Sequence, residues 1–362
     1  MVSAEPSRAV LRDGFGHMPD GRPVERLILQ GEGGFAASIL TLGASVQALQ
    51  VPDVKGECAD VVLGFEVVKG YLARRSFFGA TVGRYANRIA GAAFDLDGRR
   101  FDLPANDGPH ALHGGPGGFD RALWTVEEVG AGSEPFVTLG HVSPDGDQGF
   151  PGTLRVRLTY RIVAGRSLAL DFEATCDAPT VVNLTHHGFF NLAGVARGGS
   201  ILDHELTIFA DAVLPVDAGL IPLQEQVLPV AGTPFDFRSG AEIGARIRDD
   251  HPQLRLGHGY DHCYRLPGGR TAAPWLAARV IHRGSGRGLE LSTDQPGLQL
   301  YTGNWLDGAV AGKQGRLHRQ SDALCLEPQA FPDAPNRPDF PSTRLDPGQV
   351  YRHRSTFRFF TV

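Results

Sequence analysis

The stretch Thr153–Ala164, TLRVRLTYRIVA, alternates between apolar and polar side chains along its length, and residues 166–176, RSLALDFEATC, continue the alternation. A period of two places every second side chain on the same face of a β-strand. Ala164 and Gly165 lie between the two segments and can form a tight reversal. The pattern therefore predicts an antiparallel hairpin with one buried face and one face in water. The residues expected on the buried face are Leu154, Val156, Leu158, Tyr160 and Ile162 in the first strand and Leu168, Leu170, Phe172 and Ala174 in the second.

A second hairpin is predicted in residues 93–103, AFDLDGRRFDL, where Asp97-Gly98 separates two short alternating segments. Asp-Gly is a strong signal for a type I′ turn, because both central residues of that turn need a positive φ. Helix signals are weak, and only Gly70–Phe78 and Ala241–Arg248 could each form about two turns. Further strands are predicted at Arg26–Gln30, Ala36–Leu42, Ser45–Val51, Leu206–Ala210, Ala278–His282, Gly288–Thr293, Leu298–Tyr301 and Ser355–Val362.

Glycine and proline are abundant, at 47 and 25 of 362 residues, and they are spread evenly along the chain. Frequent chain reversals argue against coiled coils, helical repeats and long bundles, and favour short strands joined by turns. With 42% hydrophobic residues, the chain can bury a sizeable core. No shift in composition marks a boundary, so we expect one all-β domain of antiparallel strands over residues 1–362.

The formal net charge is −5 at pH 7, and the chain has no block of basic residues. Nucleic-acid binding needs clustered Lys and Arg to neutralise phosphates, so that class of partner is excluded. No apolar segment approaches the ~20 residues that span a membrane, and residues 1–15 lack the apolar segment of a secretory signal. Four widely spaced cysteines without a CxxC pair do not form a disulfide framework. These features predict a cytoplasmic protein.

Candidate functional groups lie in five segments that are rich in glycine or flanked by proline, where regular structure is interrupted. Binding and catalytic residues are often held on such loops by a rigid scaffold. The segments are GRYANRIAG (83–91), HALHGG (110–115), NLTHHGFFNLAG (183–194), GYDHCYRL (259–266) and CLEPQAFPDAPN (325–336).

Metal and nucleotide sites have little support in the sequence. The 13 histidines include close pairs, but Gly259 between His258 and His262 disfavours the helix that a zinc pair at this spacing requires. The glycine-rich GSGRG at 284–288 lies between two predicted strands, so it does not match a dinucleotide-binding loop. The chain contains no P-loop and no GxSxG motif. We therefore expect neither a metal nor a cofactor, and acid–base chemistry remains.

Glu327 and His187 are the candidates for acid–base chemistry. Glu327 ends an apolar segment before Pro328 and could act as a general base, although an ion-paired glutamate at a strand end fits the pattern equally well. His187, between His186 and Gly188, could be the partner acid or a structural histidine in a turn.

Other residues of these segments suit an oxygen-rich ligand. Arg88, next to Asn87, offers a forked donor, or else forms a surface salt bridge. Asp261 could accept protons from sugar hydroxyls or bond to a nearby backbone. The aromatic residues that could stack on a sugar, or belong to the core, are Trp305, Phe189 and Phe190.

In their order and spacing these segments resemble the aldose 1-epimerase (galactose mutarotase) family, and the resemblance extends over essentially the whole chain. It implies a galactose mutarotase-like fold, which is a large antiparallel β-supersandwich. It also implies an enzyme without cofactor or metal that interconverts the α and β anomers of aldoses. The resemblance is carried by DVVLGFEVVKGYL (60–72), GRYANRIAGAAFDLDG (83–98), HALHGGPGGFDRALW (110–124), DGDQGFPGTLRVRLTY (145–160), TPFDFR (233–238), QPGLQLYTGNWLDG (295–308) and CLEPQAFPDAPNRPDFPSTRLDPGQVYRH (325–353).

The same resemblance implies roles for individual residues. The general base of the family corresponds to Glu327, which would take a proton from the C1 hydroxyl. The general acid corresponds to His187, which would donate a proton to the ring oxygen O5. The sugar-positioning residues correspond to Asn87, Arg88, His113, Asp261 and Gln299, with Gln295 as the alternative for the glutamine.

The chain departs from the family pattern beside these residues. The family usually has Asn before the catalytic histidine and Ser-Tyr after it, whereas this chain has His186 before it and Gly188-Phe189 after it. His110 replaces an Asn three residues before His113. The acid–base pair is unaffected, but the preferred aldose stays open among glucose, galactose, xylose and arabinose.

Three other functions stay open on the sequence alone. An epimerase for a phosphorylated hexose would need an Arg/Lys cluster to hold the phosphate, and only Arg88 is evident. A non-catalytic sugar-binding module on the same fold would be expected to lack Glu327 or His187. A metal-dependent hydrolase would lose its activity after chelation. In all cases we expect a monomer or a homodimer that binds a small sugar.

Overall fold

Antiparallel β-strands form most of this protein, whose computed structural model describes residues 9–224 and 226–362. Each of the three large sheets is antiparallel throughout. The strands, in chain order, are β1 (Val10–His17), β2 (Pro23–Gln30), β3 (Ala36–Leu40), β4 (Val46–Pro52), β5 (Cys58–Asp60), β6 (Ala80–Val82), β7 (Arg88–Ile89), β8 (Ala93–Leu96), β9 (Arg99–Asp102), β10 (Ala111–Leu112), β11 (Thr125–Gly130), β12 (Phe136–Ser143), β13 (Leu154–Val163), β14 (Ser167–Cys176), β15 (Thr180–Val181), β16 (Thr185–His187), β17 (Glu205–Ile208), β18 (Ala212–Val213), β19 (Leu228–Pro229), β20 (Ala241–Glu242), β21 (Asp261–Arg265), β22 (Trp275–His282), β23 (Arg287–Thr293), β24 (Gly297–Tyr301), β25 (Asp307–Ala311), β26 (Leu317–Arg319), β27 (Cys325–Gln329), β28 (Arg344–Leu345) and β29 (Tyr351–Thr361).

Three sheets carry the architecture. The largest has nine strands in the order β11-β12-β13-β14-β29-β23-β22-β17-β20. Two five-stranded sheets have the orders β1-β2-β3-β4-β5 and β19-β18-β21-β24-β27. Side chains from all three meet in one hydrophobic core, which includes Leu29 of β2, Leu158 of β13 and Leu300 of β24. The prediction of an all-β, antiparallel architecture is confirmed.

Both predicted hairpins are present. β13 and β14 have ten residues each, and the apolar residues expected on their inner face are all buried. Ala164 and Gly165 turn the chain between them with φ of 45° and 72°. In the second hairpin, Asp97 and Gly98 have φ of 53° and 74°, as a type I′ turn requires between β8 and β9. The other predicted strands are present as well, with end points that differ by a few residues.

One helix prediction is wrong. Residues 241–248 form strand β20 followed by a 3₁₀ turn at Ile243–Ala245. Ala241 pairs with Leu206 at the edge of the nine-stranded sheet, so hydrogen bonds to β17 replace those of a helix. Apolar spacing in so short a segment does not distinguish an edge strand from a helical turn.

The described residues contain two short α-helices. α1 (Val68–Ala73) overlaps the helix predicted at Gly70–Phe78 but ends earlier, since the backbone of Arg74 is extended, with φ of −139° and ψ of 137°. α2 (Pro252–Gly257) falls outside the predicted helices, although it begins with proline and its first turn is capped by His251. The remaining 3₁₀ turns are at Ala90–Ala92, Phe119–Arg121, Asp147–Gly149, Lys313–Gly315 and Ala334–Asn336.

Three observations concern the predicted location. Within residues 9–224 and 226–362, no helix has the length and apolar character needed to span a bilayer. Cys58, Cys176, Cys263 and Cys325 are free thiols. The prediction that the N-terminus is not a secretory signal rests partly on residues 1–8, which lie outside the described residues.

Candidate active site

A pocket of about 660 Å³ is bordered by β16, β21, β24 and β27 and by the loops around β7 and β10. Gln295 is not part of its wall and donates instead to the carboxylate of Asp294. His110 is in the wall, and its Nδ1 accepts a hydrogen bond from the backbone N–H of Gly91. All seven residues assigned to catalysis or sugar binding from the sequence line this pocket: Asn87, Arg88, His113, His187, Asp261, Gln299 and Glu327.

Three of these residues lie on one face of neighbouring strands. Gln299 of β24 is directly opposite Glu327 of β27, and Asp261 of β21 is a diagonal neighbour of Gln299. Alternate side chains of a strand share a face, so strand pairing alone brings the amide and the two carboxylates together. The Nε2 of Gln299 donates to Oδ1 of Asp261 at 2.6 Å. This bond orients the amide and leaves its oxygen, Oε1, without a partner among the described residues.

His187 ends the short strand β16, whose alternation separates two adjacent histidines. His187 lines the pocket, whereas His186 packs against Tyr160 and Phe357 in the core. The Nε2 of His187 lies 3.6 Å from Oε1 of Glu327, and the two side chains are only 6% and 2% exposed. This distance is too long for a hydrogen bond, so the two groups are neighbours without being bonded to each other.

Two tight turns place Asn87 and His113 beside this pair. Both residues have left-handed backbone conformations, with φ of 63° and 51°. The His113 N–H donates to the Asn87 carbonyl at 3.0 Å, and the Asn87 N–H donates to Nδ1 of His113 at 3.2 Å. A Cβ at the following Gly114 would lie 1.9 Å from the carbonyl oxygen of Gly83, so only glycine fits there. Strained backbone of this kind is often found at functional sites.

The hydrogen bond from Asn87 fixes the tautomer of His113. Because Nδ1 accepts this bond, the neutral ring carries its proton on Nε2 and presents an N–H donor. Burial lowers the pKa of His113 well below its ordinary value, which keeps the ring neutral.

The same tautomer decides whether the pocket suits a metal ion. Ligand atoms of His113, His187 and Glu327 lie within 4.8 Å of one another, a spacing that a metal could use. A metal bound to Nε2 of His113 would replace the proton on that nitrogen. Because Nδ1 accepts a hydrogen bond from Asn87, the ring would then carry no N–H proton, whereas a neutral imidazole ligand keeps one. The donor set therefore fits a sugar oxygen better than a metal ion.

Burial shifts the two central groups in opposite directions. It lowers the pKa of His187 to about 3, with a smaller contribution from His186. Burial, followed by the charge of Asp261, raises the pKa of Glu327 well above its ordinary value, whereas Arg88 lowers it. In the free protein the uncharged forms are favoured, and a proton shared by the pair resides on Glu327.

Three arginines line the pocket, rather than the single Arg88 evident from the sequence. A phosphate group would need an uncompensated positive charge at the site. Each of these arginines is already paired with a carboxylate, in the pairs Arg88–Asp107 (2.7 Å), Arg75–Asp120 (2.5 Å) and Arg74–Asp307 (2.9 Å).

The three aromatic residues considered for sugar stacking have different environments. Trp305 is 55% exposed at the pocket, so its side chain is accessible to a ligand. Phe189 is buried with its ring stacked on His187, at 4.8 Å between centroids. Phe190 is buried against Phe357 and belongs to the core.

Two further residues border the site without having been singled out from the sequence. The ring of Phe77 lies against His187 and His113, with centroids 5.6 and 4.7 Å apart. The guanidinium of Arg75 lies 4.5 Å from the centroid of the Phe77 ring. Their segment reads RRSFF (74–78), which matches no motif, so only the folded contacts reveal its place at the site.

The motif GRYANRIAG contains two arginines with different surroundings. Arg84 is 2% exposed and donates to the backbone oxygens of Ser143, Pro144 and Gly152. Burial lowers its pKa to about 10. Arg84 therefore fixes loops behind the site, and Arg88 is the arginine of the motif that reaches the pocket.

Comparison with known sequences identifies the family. The family model for aldose 1-epimerase matches residues 25–358. Galactose mutarotase of Sus scrofa is 45% identical over 352 residues, which are 97% of this chain and 98% of that protein. Aldose 1-epimerase of Escherichia coli (strain K12) is 35% identical over 343 residues, 94% of this chain and 96% of that protein. The chain belongs to the aldose 1-epimerase family.

Solved structures agree with this result. The galactose 1-epimerase from Lactobacillus acidophilus NCFM has a TM-score of 0.84 and 27% identity, covering 98% of this chain and 99% of its own. The aldose epimerase homologue from C. elegans has a TM-score of 0.83 and 29% identity, with the same coverage. The galactose mutarotase-like β-supersandwich expected from the sequence is therefore confirmed.

Proposed function

We propose that this protein is an aldose 1-epimerase that interconverts the α and β anomers of free aldoses by opening and reclosing the sugar ring. The observation that carries the proposal is the pair of Glu327 and His187, whose buried side chains lie 3.6 Å apart in the wall of a pocket with further polar groups. The oxygens that exchange protons during ring opening are both bonded to C1, so the acid and the base must be close neighbours. Relatives named galactose mutarotase and aldose 1-epimerase support the same activity.

Ring opening requires that one proton is removed and another is delivered. The carboxylate of Glu327 takes the proton of the C1 hydroxyl, the C1–O5 bond breaks with its electron pair going to O5, and protonated His187 delivers a proton to O5. The products are the open-chain aldehyde, protonated Glu327 and neutral His187. Rotation about C1–C2 presents the other face of the aldehyde, and the same groups in reversed roles close the ring to the other anomer.

The state after ring opening is the state that burial favours in the free protein, with the proton on Glu327 and an uncharged His187. The ionised pair that ring opening requires is therefore a minority state before the sugar binds. Ring opening therefore leaves the pair in the state that burial favours, and reclosure from the aldehyde restores the ionised pair. Arg88 supports the carboxylate form, since its charge lowers the pKa of Glu327.

The remaining polar groups would bind and orient the sugar. The free oxygen of Gln299 and the carboxylate of Asp261 accept hydrogen bonds from hydroxyls. The Nε2–H of His113 and the guanidinium of Arg88 donate to sugar oxygens and stabilise charge that develops on O5. The Asn87 side chain accepts from the Arg88 N–H through its oxygen, which leaves its amide N–H groups to donate.

Free sugars are favoured over phosphorylated hexoses because every arginine of the pocket is paired with a carboxylate. A non-catalytic sugar-binding module is disfavoured because Glu327 and His187 are both present and adjacent.

We also propose that residues 1–362 form one domain that acts in the cytoplasm as a monomer or homodimer. A single core cluster that reaches from Leu27 to Phe359 supports one domain. Four free thiols support a reducing compartment. Limited proteolysis tests the domain assignment, because two separately stable fragments would contradict it, and light scattering gives the oligomeric state.

The activity is tested by following the optical rotation of freshly dissolved α-D-glucose, α-D-galactose, α-D-xylose and α-L-arabinose. The protein is expected to accelerate the approach to equilibrium for at least one of them, and the ranking of kcat/KM gives the preferred aldose. A rate equal to that of buffer for every sugar would overturn the proposal. Glucose 6-phosphate serves as the comparison, because a higher kcat/KM for it would favour the phosphohexose epimerase instead.

A further inference from the structure

The imidazole of His187 is flanked by two phenyl rings that lie nearly parallel to it. The ring of Phe77 is 5.6 Å away between centroids, with an angle of 12° between the planes. The ring of Phe189 is 4.8 Å away, with an angle of 13°. Both contacts are stacked, so they restrict the tilt of the imidazole plane.

No hydrogen bond from a neighbouring residue orients this imidazole through its second nitrogen. The Nδ1 of His187 is buried, and no other residue in the described part of the chain gives it a partner. Functional histidines are commonly oriented by a hydrogen bond to the nitrogen that does not react. In His187 the imidazole is instead oriented by the packing of its two faces.

The backbone fixes Phe77 to the strand that carries His187. The N–H of Gly79 donates to the His187 carbonyl at 3.0 Å, and the N–H of Ala80 donates to the Phe77 carbonyl at 3.1 Å. Phe77 itself has a φ of 56°. A residue with a Cβ keeps this conformation only where the surrounding contacts hold it, so the turn is built around the placement of this ring.

Further contacts hold the Phe77 ring. The guanidinium of Arg75 lies 4.5 Å from its centroid, in cation–π range. Arg75 is itself fixed by an ion pair with Asp120 and a hydrogen bond to the Gly115 carbonyl at 2.6 Å. The Phe77 ring also touches His113, with centroids 4.7 Å apart. Phe77 therefore connects a fixed arginine to both histidines of the pocket.

We propose that Phe77 is a positioning residue, whose ring holds the imidazole plane of His187 so that Nε2 faces Glu327 and the ring oxygen of the sugar. The consequence of this positioning for the rate rests on the proposed function of the pocket. The contact between Phe77 and His187 does not depend on that function, so the contact and the effect on the rate can be tested separately.

The first test observes the contact without any activity. Aromatic ring currents displace the resonance of a stacked proton, so the Cε1–H signal of His187, assigned by its loss in His187→Asn, is expected to move in Phe77→Leu. The matched control is Phe101→Leu, which removes a phenyl ring stacked on Phe94 (5.5 Å, 23°) away from the pocket. This control is expected to leave the signal in place. An unchanged His187 signal in Phe77→Leu would overturn the proposal.

The second test separates positioning from sugar binding. Phe77→Leu is expected to lower kcat by about 10-fold or more, since a slight misplacement of a reacting group has effects of this size, while KM stays within about threefold. Phe77→Tyr keeps the ring face and is expected to restore most of the kcat, and Phe101→Leu is expected to match the wild type. A raised KM with an unchanged kcat would contradict positioning and make Phe77 a sugar contact. If the wild type does not accelerate mutarotation, the proposed function fails, and the His187 signal still decides the contact.

Discussion

Two clusters in this protein contain the same kinds of side chain, two histidines and one carboxylate, with ligand atoms within 4.8 Å of one another. Residue type alone would treat them as equal candidates for a functional site. One lies in the pocket and the other lies beside β17 and β22. The clusters are His113, His187 and Glu327 in the pocket, and Asp203, His204 and His282 outside it.

In the outer cluster three of the four ring nitrogens are hydrogen-bonded, and the fourth faces a carboxylate. The Nδ1 of His204 is 2.9 Å from Asp203, and its Nε2 accepts from the Leu192 N–H at 3.0 Å. The Nε2 of His282 is 3.4 Å from Asp203, and its Nδ1 is 2.8 Å from the Ser285 hydroxyl. The two histidines are held by contacts within the fold, so we expect this cluster to stabilise the fold rather than to bind a ligand.

In the pocket cluster the bonding is incomplete. Nδ1 of His187, Oε2 of Glu327 and Oε1 of the adjacent Gln299 are buried without a hydrogen-bond partner among the described residues. A buried polar atom without a partner is unfavourable, and in a pocket a bound ligand can supply the missing partner. Between these two clusters, incomplete hydrogen bonding, rather than the presence of histidines and carboxylates, marks the one in the pocket.

The largest expected effect is on the rate. Glu327→Gln keeps the size of the side chain but cannot accept the proton of the C1 hydroxyl, so kcat should fall by at least ~10²-fold. His187→Asn removes the group that protonates O5 and should have an effect of similar size. Polarimetry with the preferred aldose measures both. A Glu327→Gln variant within about threefold of wild type would remove Glu327 from the mechanism.

The next effect is on stability as a function of pH. Glu327 has a raised pKa in the folded protein, so its contribution to stability is fully present below the ordinary pKa and is lost as pH rises towards the folded value. Glu327→Gln removes this loss. The free energy of unfolding of the variant, relative to wild type, should therefore increase between about pH 4.5 and 7, by at most about 1.4 kcal/mol per pH unit. Urea titrations across this range measure it, and a difference that does not change with pH would contradict the burial of an uncharged Glu327.

A substitution in the outer cluster should lower stability and leave the activity unchanged. His204→Ala leaves the buried Leu192 N–H without its acceptor, so the free energy of unfolding should fall by about 1–3 kcal/mol. The kcat and KM of the folded variant should equal those of wild type. Chemical denaturation and polarimetry on one preparation test both statements. A lower kcat in a His204→Ala sample that is fully folded would contradict a purely structural role for the outer cluster.

The smallest effect is expected for Gln299→Ala. The variant loses an acceptor for a sugar hydroxyl and the donor that orients Asp261, so KM should rise by roughly 10-fold, the size of one or two hydrogen bonds. The kcat should change little, because Gln299 does not transfer a proton. A fall in kcat with an unchanged KM would instead place Gln299 in the acid–base step.

Much of the fold could be predicted because its signals are local. The alternation of β13 and β14 and the Asp97-Gly98 turn are readable within about ten residues. The edge strand at Ala241–Glu242 has a local pattern that also fits a helix, because its pairing with β17 lies outside such a window. Secondary structure that depends on a distant partner has no equally clear local pattern.

The candidate site was predictable only in part. The family resemblance named Glu327 and His187, but their separation and the missing partners follow from packing between distant segments. Arg74 pairs with Asp307, more than two hundred residues away, so the compensation of this pocket arginine cannot be read from a local motif. The stacking of Phe77 on His187 likewise joins segments that no motif connects.

The most direct test of the difference between the clusters measures kcat and the unfolding temperature of Glu327→Gln and His204→Ala side by side at pH 7. We expect Glu327→Gln to lose at least ~10²-fold in kcat while unfolding at the same or a higher temperature than wild type. We expect His204→Ala to keep its kcat and to unfold at a lower temperature. A Glu327→Gln variant that retains its activity, or a His204→Ala variant that loses activity to the same extent, would contradict the assignment of function to the incompletely bonded cluster.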